Sequence, residues 1–208
     1  YTQMKKLALA KLESGELATT ASVLTQIMRL QQICCGFLQP DEGEIQTIAS
    51  NRLKELLELT DEVQGKAIIW ATYTHDILRI EGALQERFGL DSVATYFGGT
   101  PQDERQAIVT RFQDKNDPLR FFVGQPRTGG YGITLTAANT VIYFSNSYDL
   151  EIRLQSEDRA HRIGQTNKVT YIDMVSPDTI DEKILKALRS KIDIAGQVLG
   201  EDAKDWLR

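Results

Sequence analysis

Residues Ala67-Ile-Ile-Trp-Ala-Thr72 form a nearly unbroken apolar run that begins two residues after Gly65. A strand that is buried on both faces has such a run, whereas a strand with one face in water alternates apolar and polar residues. Four similar runs follow along the chain, at Ser92–Phe97, Leu119–Val123, Thr140–Ser145 and Val169–Val175. Because these runs alternate with helical or glycine-rich stretches, they predict a parallel sheet covered by helices on both faces.

Apolar spacing and end signals predict the helices. Residues 1–38 carry apolar residues at steps of three and four, and Gly15 with Thr19-Thr20 predicts a break between two helices. Further signals predict helices at about 50–62, 76–88 and 151–163, and helix starts at Thr100-Pro101 and Ser176-Pro177. The predicted fold is an α/β domain of three layers, with a mostly parallel central sheet and a helical N-terminal extension.

Composition and charge exclude several classes of protein. Of the 208 residues, 41% are hydrophobic and 25% are charged, which is typical of a soluble globular protein. No apolar run is long enough for a transmembrane helix, so no membrane partner is expected. The two cysteines, Cys34 and Cys35, are adjacent, so neither a disulfide framework nor a metal site is expected. With a net charge of −5, any contact with nucleic acid must come from a few positioned groups.

The segment Gly124-Gln-Pro-Arg-Thr-Gly-Gly-Tyr-Gly-Ile-Thr134 follows the third predicted strand. Gly130 and Gly132 permit positive φ and a close approach of the backbone to another group. Open α/β sheets bind ligands beyond the carboxyl ends of their strands, so one interpretation is a loop that cradles phosphate. The glycine spacing matches neither the Walker A nor the dinucleotide motif, and a purely structural turn remains an alternative.

A second candidate site lies on the predicted helix 151–163. Arg159 and Arg162 project at about 40° and about −20° from Gln155, so the three side chains share one narrow face. Neighbouring guanidinium groups repel each other unless an anion compensates them, and their planar forks suit phosphate. The alternative is a solvated face that is balanced by nearby carboxylates, namely Glu151, Glu157 and Asp158.

The Asp61-Glu62 pair does not provide a magnesium site of the nucleotide-hydrolysing type. Such a pair must end a buried strand, whereas Asp61-Glu62 ends a predicted helix. Gly65-Lys66 also lacks the preceding glycine and the following Ser or Thr of a phosphate-binding loop. The sequence thus offers two candidate arginines but no lysine that would bind phosphate and no acid that would bind magnesium. This combination suggests that the chain supplies one half of a composite active site.

From Leu30 to about Leu199 the chain resembles the C-terminal RecA-like lobe of Swi/Snf-type helicase-like ATPases of superfamily two. The stretch from Arg127 to Ile142 looks like the fifth motif of that family. Asp158-Arg-Ala-His-Arg-Ile-Gly-Gln165, preceded by Gln155, matches the sixth motif residue for residue. On this basis we predict a helical extension at residues 1–62, the RecA-like lobe at 63–200 and a tail at 201–208.

The resemblance implies a role for each candidate residue. Arg159 and Arg162 would be arginine fingers on ATP, which the N-terminal RecA-like lobe would hold together with Mg²⁺. Gln155 would help to position these arginines or the nucleotide. Gly130 and Gly132 would let the fifth motif approach the nucleotide and the opposite lobe. The backbone of double-stranded DNA would be contacted by Thr74, Gly98, Thr100 and Arg127. The chain alone would then be inactive, because the Walker A and B motifs would lie on the other lobe.

Three departures from the family concern DNA contact and coupling between the lobes. The family usually has Ser-Thr-Arg at Gln125-Pro126-Arg127, Asn at Thr134, and Asp-Trp-Asn-Pro at Ser147–Leu150. The main alternative is therefore a degenerate lobe that binds DNA or serves as a protein scaffold without catalysis. A Rossmann-type enzyme is disfavoured, because no dinucleotide fingerprint follows the first predicted strand. The lobe lacks long insertions, which is more similar to a bacterial or phage member of the family than to a large chromatin remodeller. We therefore expect it in the cytoplasm of a bacterial or phage-infected cell, or in the nucleus if the organism is a eukaryote. We also expect a monomer.

Overall fold

The computed structural model describes residues 1–13, 20–129, 132–161 and 168–190. In this part of the chain the helices are α1 (Thr2–Glu13), α2 (Thr20–Cys35), α3 (Arg52–Glu62), α4 (Thr74–Phe88), α5 (Gln102–Gln113), α6 (Pro126–Gly129), α7 (Leu150–Ala160) and α8 (Ile180–Arg189). The strands are β1 (Phe37–Leu38), β2 (Gln46–Thr47), β3 (Lys66–Trp70), β4 (Val93–Tyr96), β5 (Phe121–Gly124), β6 (Ala138–Tyr143) and β7 (Thr170–Asp173).

Strands β3 to β7 form one five-stranded sheet in the order β4-β5-β3-β6-β7, and every neighbouring pair is parallel. The α/β fold class and all five predicted strands are confirmed. All five residues of β3, the central strand, are buried, which is why its sequence does not alternate. The antiparallel pair β1–β2 was not predicted, because each of its strands has only two residues.

The chain divides into two compact units. The first comprises Tyr1–Arg52, Tyr148–Leu150 and Val175–Arg208, and the second comprises Leu53–Ser147 and Glu151–Met174. The sequence-based division at residues 62 and 200 stays a prediction, and the expected tail 201–208 lies outside the described residues.

The second unit has an aromatic core on one face of the sheet. Phe122 of β5 stacks on Tyr96 with 5.4 Å between ring centroids. The Phe122 ring also meets Trp70 and Phe112 edge-on, at 5.9 and 5.5 Å. Each of these four rings is at least 94% buried, so the sheet keeps a dry core up to the carboxyl ends of its strands.

The first unit is built on α1, α2 and α8, whose apolar faces share one buried cluster. The sequence predicts one helical stripe of Val23, Ile27, Leu30, Cys34 and Phe37. The first four lie on α2 and are buried in this cluster, whereas α2 ends at Cys35 and Phe37 belongs to β1. Neither cysteine forms a disulfide in the described part of the chain, and burial raises the pKa of the Cys34 thiol to about 11, so this thiol stays neutral.

Two helix starts differ from the sequence prediction. The Thr100 hydroxyl donates to the Thr95 carbonyl and accepts from the Phe97 amide, so it closes the preceding loop and α5 begins at Gln102. Helix α8 begins at Ile180 rather than near Ser176-Pro177. Its N-cap is Thr179, whose side-chain oxygen accepts the Asp181 amide.

A buried ion pair joins Arg52 to Asp181 in the first unit. Their side chains are only 4% and 5% exposed, and Arg52 also donates to the Ser176 hydroxyl at 3.0 Å. The Ser176 amide donates to the same Asp181 carboxylate at 3.1 Å. Since both charges are removed from water, the pair depends on these additional hydrogen bonds.

We expect Asp181→Leu to lower the free energy of unfolding by about 3–5 kcal/mol, because it strands a buried guanidinium. Arg52→Met with Asp181→Leu should recover most of this loss, because no charge is then buried. Urea unfolding of each variant measures the effect. Lys54→Ala, which breaks the exposed Lys54–Glu58 pair, is the control and should cost under about 1 kcal/mol. Equal losses in Asp181→Leu and Lys54→Ala would contradict the assignment.

Gly124 ends β5 where no side chain fits. A Cβ there would lie 2.8 Å from Trp70 Cζ3, 3.0 Å from Phe122 Cε1 and 3.2 Å from the Tyr96 carbonyl oxygen. We expect Gly124→Ala to destabilise the fold by about 1–3 kcal/mol through overpacking. Gly82 is at an exposed position of α4, and a Cβ there meets no atom within 4 Å, so Gly82→Ala should stabilise the fold by up to about 1 kcal/mol. Thermal melting that shifts in the same direction for both variants would refute this.

Candidate functional site

The carboxyl ends of the five parallel strands lie in one register. Tyr96 pairs with Gly124, which pairs with Trp70, and the row continues through Tyr143 to Asp173. The segments that leave these strands therefore start from one edge of the sheet, where open α/β sheets bind their ligands.

The residues predicted for DNA contact follow three adjacent strands at this edge. Gly98 and Thr100 follow β4, Arg127 follows β5 and Thr74 follows β3. The side chains of Thr74 and Arg127 are exposed, and so is Gly98. Thr100 is 7% exposed, and its hydroxyl makes the two hydrogen bonds that close the loop, so this side chain shapes the loop from inside.

Arg105 holds the same loop from α5. Its Nε donates to the Thr100 carbonyl at 3.1 Å and its Nη2 donates to the Phe97 carbonyl at 3.2 Å. Because both carbonyls are occupied, the exposed backbone around Gly98 has a defined conformation. No atom lies within 4 Å of the Cβ position of Gly98, so a backbone group of a ligand could approach closely.

The departure at Gln125-Pro126 has a structural explanation. The Gln125 amide Nε2 donates to the Thr72 carbonyl at 2.9 Å, and the Thr128 hydroxyl donates to Gln125 Oε1 at 3.3 Å. Pro126 is the first residue of α6, a position where proline is favoured. Gln125 thus fastens the segment that carries Arg127 to the end of the central strand.

Helix α7 presents the first two residues of the predicted arginine face. Gln155 Nε2 donates to Glu151 Oε1 at 2.8 Å, and Arg159 Nε donates to the Gln155 carbonyl at 2.9 Å. Both side chains are half-buried. Arg162 lies outside the described residues, and α7 ends at Ala160, so the predicted extension of this helix to residue 163 is not described.

Arg159 also joins α7 to the glycine-rich segment. Its Nη1 donates to the Ile133 carbonyl at 3.3 Å, and the Leu135 amide donates to the Arg159 carbonyl at 2.9 Å. Gly132 directly precedes Ile133 and has φ +77°, a conformation that glycine adopts without strain. Its Cβ position faces open space, whereas Gly130 lies outside the described residues. The fifth and sixth motifs of the sequence analysis are thus in contact.

Two of the three carboxylates suggested to balance the arginines accept hydrogen bonds from other residues. Glu151 accepts from Gln155, and Glu157 Oε1 accepts from Arg153 Nε at 2.6 Å. The Glu157 carbonyl accepts the Tyr171 hydroxyl at 3.1 Å, and burial, followed by the charge of Glu157, raises the pKa of Tyr171 to about 12. Asp158 is exposed. The alternative of a solvated face that is balanced by these carboxylates stays a prediction, because Arg162 lies outside the described residues.

Sequence reasoning missed the ionic network beneath α7. Arg153 donates to Asn146 and to both oxygens of Asp173, and its guanidinium carbon lies 3.5 Å from the ring centroid of Tyr143. Burial opposes the charge of Arg153, but the hydrogen bond to Asp173 raises the pKa above its usual value. No spacing pattern signals this network, because its members are contributed by β6, β7, α7 and the residues after β6.

The described residues contain no cluster of three or more His, Cys, Asp and Glu side chains that could hold a metal ion. The Asp61 carboxylate accepts from Arg87 at the end of α3, as expected for a helical rather than a strand-end position. None of the described helices is long and apolar enough to cross a membrane.

Comparisons with known proteins identify the family and the fold of the chain. A family model described as the helicase conserved C-terminal domain matches residues 49–164, which is more than half of the chain. The ATP-dependent helicase FUN30 of Saccharomyces cerevisiae is 33% identical over 189 residues, covering 84% of this chain and 16% of that protein. The chain thus spans about a sixth of the length of this curated relative.

Two solved structures are similar in fold. The C-terminal part of the Fun30 ATPase domain superposes with a TM-score of 0.62 at 25% identity, over 98% of this chain and 70% of that one. The Sulfolobus solfataricus SWI2/SNF2 ATPase core in complex with dsDNA superposes with a TM-score of 0.70 at 26% identity, over 94% of this chain and 43% of that one. The chain therefore belongs to the helicase conserved C-terminal domain family, as a C-terminal RecA-like lobe of the Swi/Snf type.

Proposed function

We propose that the chain is the second motor lobe of an ATP-dependent translocase on double-stranded DNA. The observation that carries the proposal is the contact between the two motifs, in which Arg159 on α7 donates to the carbonyl that follows Gly132. Helix α7 and the exposed candidates Thr74 and Arg127 start from the same edge of the sheet. One edge would then serve both nucleotide and DNA.

Arg159 and Arg162 act as arginine fingers on ATP that the N-terminal lobe holds. The Arg159 guanidinium uses two of its five N–H groups for the Gln155 and Ile133 carbonyls, which leaves donors for phosphate oxygens. A guanidinium that is held in place stabilises charge as it builds on the transferred phosphoryl group. Gln155 lies one turn before Arg159, and the Cβ position of Gly132 faces open space that would accommodate the nucleotide.

ATP and its Mg²⁺ bind mainly to the other lobe, which supplies the phosphate-binding lysine and the magnesium ligands. The residues of this chain that would meet the nucleotide are Gln155, Gly132, Arg159 and, beyond the described residues, Gly130 and Arg162. These residues would bind and orient the phosphates from one side, and the opposite lobe would bind the metal ion.

Only a few groups of this chain contact DNA, and each of them is suited to bind the phosphate backbone. Arg127 supplies a guanidinium, Thr74 supplies a hydroxyl at the start of α4, and Gly98 supplies open backbone. Such contacts hold the duplex without reading its sequence. Since the net charge is −5, these groups work with the other lobe and not through a general positive field.

The chain acts as a monomer. Its cellular compartment depends on whether the organism is a bacterium or a eukaryote. Relatives occur in Bacillus subtilis and in Saccharomyces cerevisiae, which is compatible with a bacterial cytoplasm or a eukaryotic nucleus.

In the full-length protein we expect Arg159→Ala and Arg162→Ala each to lower DNA-stimulated ATP turnover by about 10³-fold or more. Nucleotide affinity should fall much less, because a finger contributes mainly in the transition state. Arg→Lys should not restore turnover, because an ammonium cannot reproduce the planar fork. Steady-state ATPase assays on saturating duplex, with melting curves alongside, measure these effects.

The matched control is Arg87→Ala, which removes an exposed arginine paired with Asp61 and should leave turnover unchanged. Near-normal turnover in both Arg159→Ala and Arg162→Ala would reject the finger assignment. If the unaltered full-length protein also fails to hydrolyse ATP on DNA, the chain is instead a non-catalytic lobe that binds DNA or serves as a scaffold.

The isolated chain should neither hydrolyse ATP nor bind duplex DNA tightly. We expect dissociation constants in the non-specific range of about 10⁻⁴–10⁻⁶ M with a shallow dependence on salt, because few basic groups face the DNA. Fluorescence anisotropy over a salt series and a phosphate-release assay test both expectations. Nanomolar binding at physiological salt, or turnover that Arg162→Ala abolishes, would overturn them.

A further inference from the structure

We propose that Arg153 is a positioning residue that sets the placement of α7, and through it of Arg159, by locking the helix onto the carboxyl ends of β6 and β7. The inference rests on the proposed function of Arg159, because it concerns the same site. Arg153 itself is 9% exposed, so its side chain is directed into the protein.

Arg153 contacts both strands that flank the start of α7. Its guanidinium donates to the Asp173 carboxylate at the end of β7, with the second Asp173 oxygen at 3.4 Å, and to the Asn146 side-chain oxygen. The Asn146 amide donates to the same carboxylate at 3.0 Å. Below the guanidinium lies the Tyr143 ring of β6, at 3.5 Å from the centroid to the guanidinium carbon.

Three further contacts make the arrangement specific. Glu157, one turn along α7, accepts from Arg153 Nε at 2.6 Å. The Tyr143 hydroxyl lies 2.8 Å from the Ser156 hydroxyl, which also donates to the Arg153 carbonyl at 2.7 Å. A buried charge network is tolerated only when its members are hydrogen-bonded, so a tilt of α7 would break several bonds at once.

The position of Arg159 is sensitive to such a tilt. Arg153 and Arg159 are six residues apart, which is about 9 Å along a helix. Arg153 holds the first half of α7, whereas Arg159 is linked to the Ile133 carbonyl and the Leu135 amide in the segment after the glycine-rich loop. A misplacement of about 1 Å at a reacting centre can cost about 10²-fold in rate.

Arg120 provides a matched control at the opposite end of the sheet. It is a half-buried arginine that donates to the Thr60, Val63 and Gly65 carbonyls and lies over the Phe88 and Phe121 rings at 5.1 and 4.8 Å. Arg120 thus has a comparable number of partners, but it holds the end of α3 and not α7. Its loss should affect stability without affecting the site.

The test uses Arg153→Met and Arg153→Met with Asp173→Asn in the full-length protein. The single variant strands the Asp173 carboxylate and should melt at a lower temperature. The double variant removes both charges and should melt close to the unaltered protein. In the double variant we expect kcat for DNA-stimulated ATP hydrolysis to be about 10- to 100-fold lower than in the unaltered protein. KM for ATP should change by less than about threefold. Arg120→Met, assayed below its melting temperature, should keep normal kcat.

A second measurement separates positioning from general loss of activity. If Arg153 acts through Arg159, adding Arg153→Met and Asp173→Asn to Arg159→Ala should lower kcat no further, because the finger is already absent. Hydrogen exchange should become faster at the amides of residues 154–160 in the double variant and stay unchanged in β3.

A double variant that melts normally and has normal kcat overturns the positioning inference and leaves the proposed function intact. Multiplicative losses in combination with Arg159→Ala overturn it as well. If Arg159→Ala is fully active, the proposed function fails instead. In that case hydrogen exchange alone tests Arg153. Unchanged exchange at the amides of α7 would show that Arg153 does not hold this helix in place.

Discussion

The common register of five parallel strand ends is the constraint on which the rest of the structure depends. The row from Tyr96 through Gly124, Trp70 and Tyr143 to Asp173 brings segments that are distant in sequence to one edge. Gly124 makes this row possible, because any side chain there would overlap the Trp70 and Phe122 rings. The aromatic core thus extends up to the edge where the polar chemistry begins.

Beyond that row, polar side chains connect the segments laterally. Gln125, after β5, donates to the Thr72 carbonyl after β3, and the Thr72 amide donates to the Ser145 hydroxyl after β6. Asn146 and Asp173 continue the connection to β7 and receive Arg153 from α7. These hydrogen bonds join residues at or just after the ends of four of the five strands, so they fix the positions of the loops at this edge relative to one another.

The two halves of the candidate site differ in how they were found. The sixth motif on α7 was visible in the sequence, because Gln155 and Arg159 have helical spacing and form a characteristic string with their neighbours. Contacts of Arg159 with Ile133 and Leu135 were not visible, because they join α7 to a segment more than twenty residues earlier. The cap at Thr100 was predicted wrongly for a related reason. A threonine hydroxyl can cap a helix by accepting from its first amides, or it can bond to the preceding loop, as Thr100 does at Phe97. The local sequence does not determine which of these hydrogen bonds forms.

The sequence by itself determined the fold class and the five strands, because burial on both faces requires unbroken apolar runs such as Ala67–Ala71. It also identified the family, through strings of adjacent residues. Only the tertiary structure decided the strand order β4-β5-β3-β6-β7 and the partners of Arg153. The physical reason is the sequence separation of the interacting residues. Periodicity and motif strings reflect only interactions between residues that are close together in the sequence. Strand order and buried ion pairs instead depend on which distant segments share the same buried volume, where an uncompensated charge or a misplaced side chain is costly.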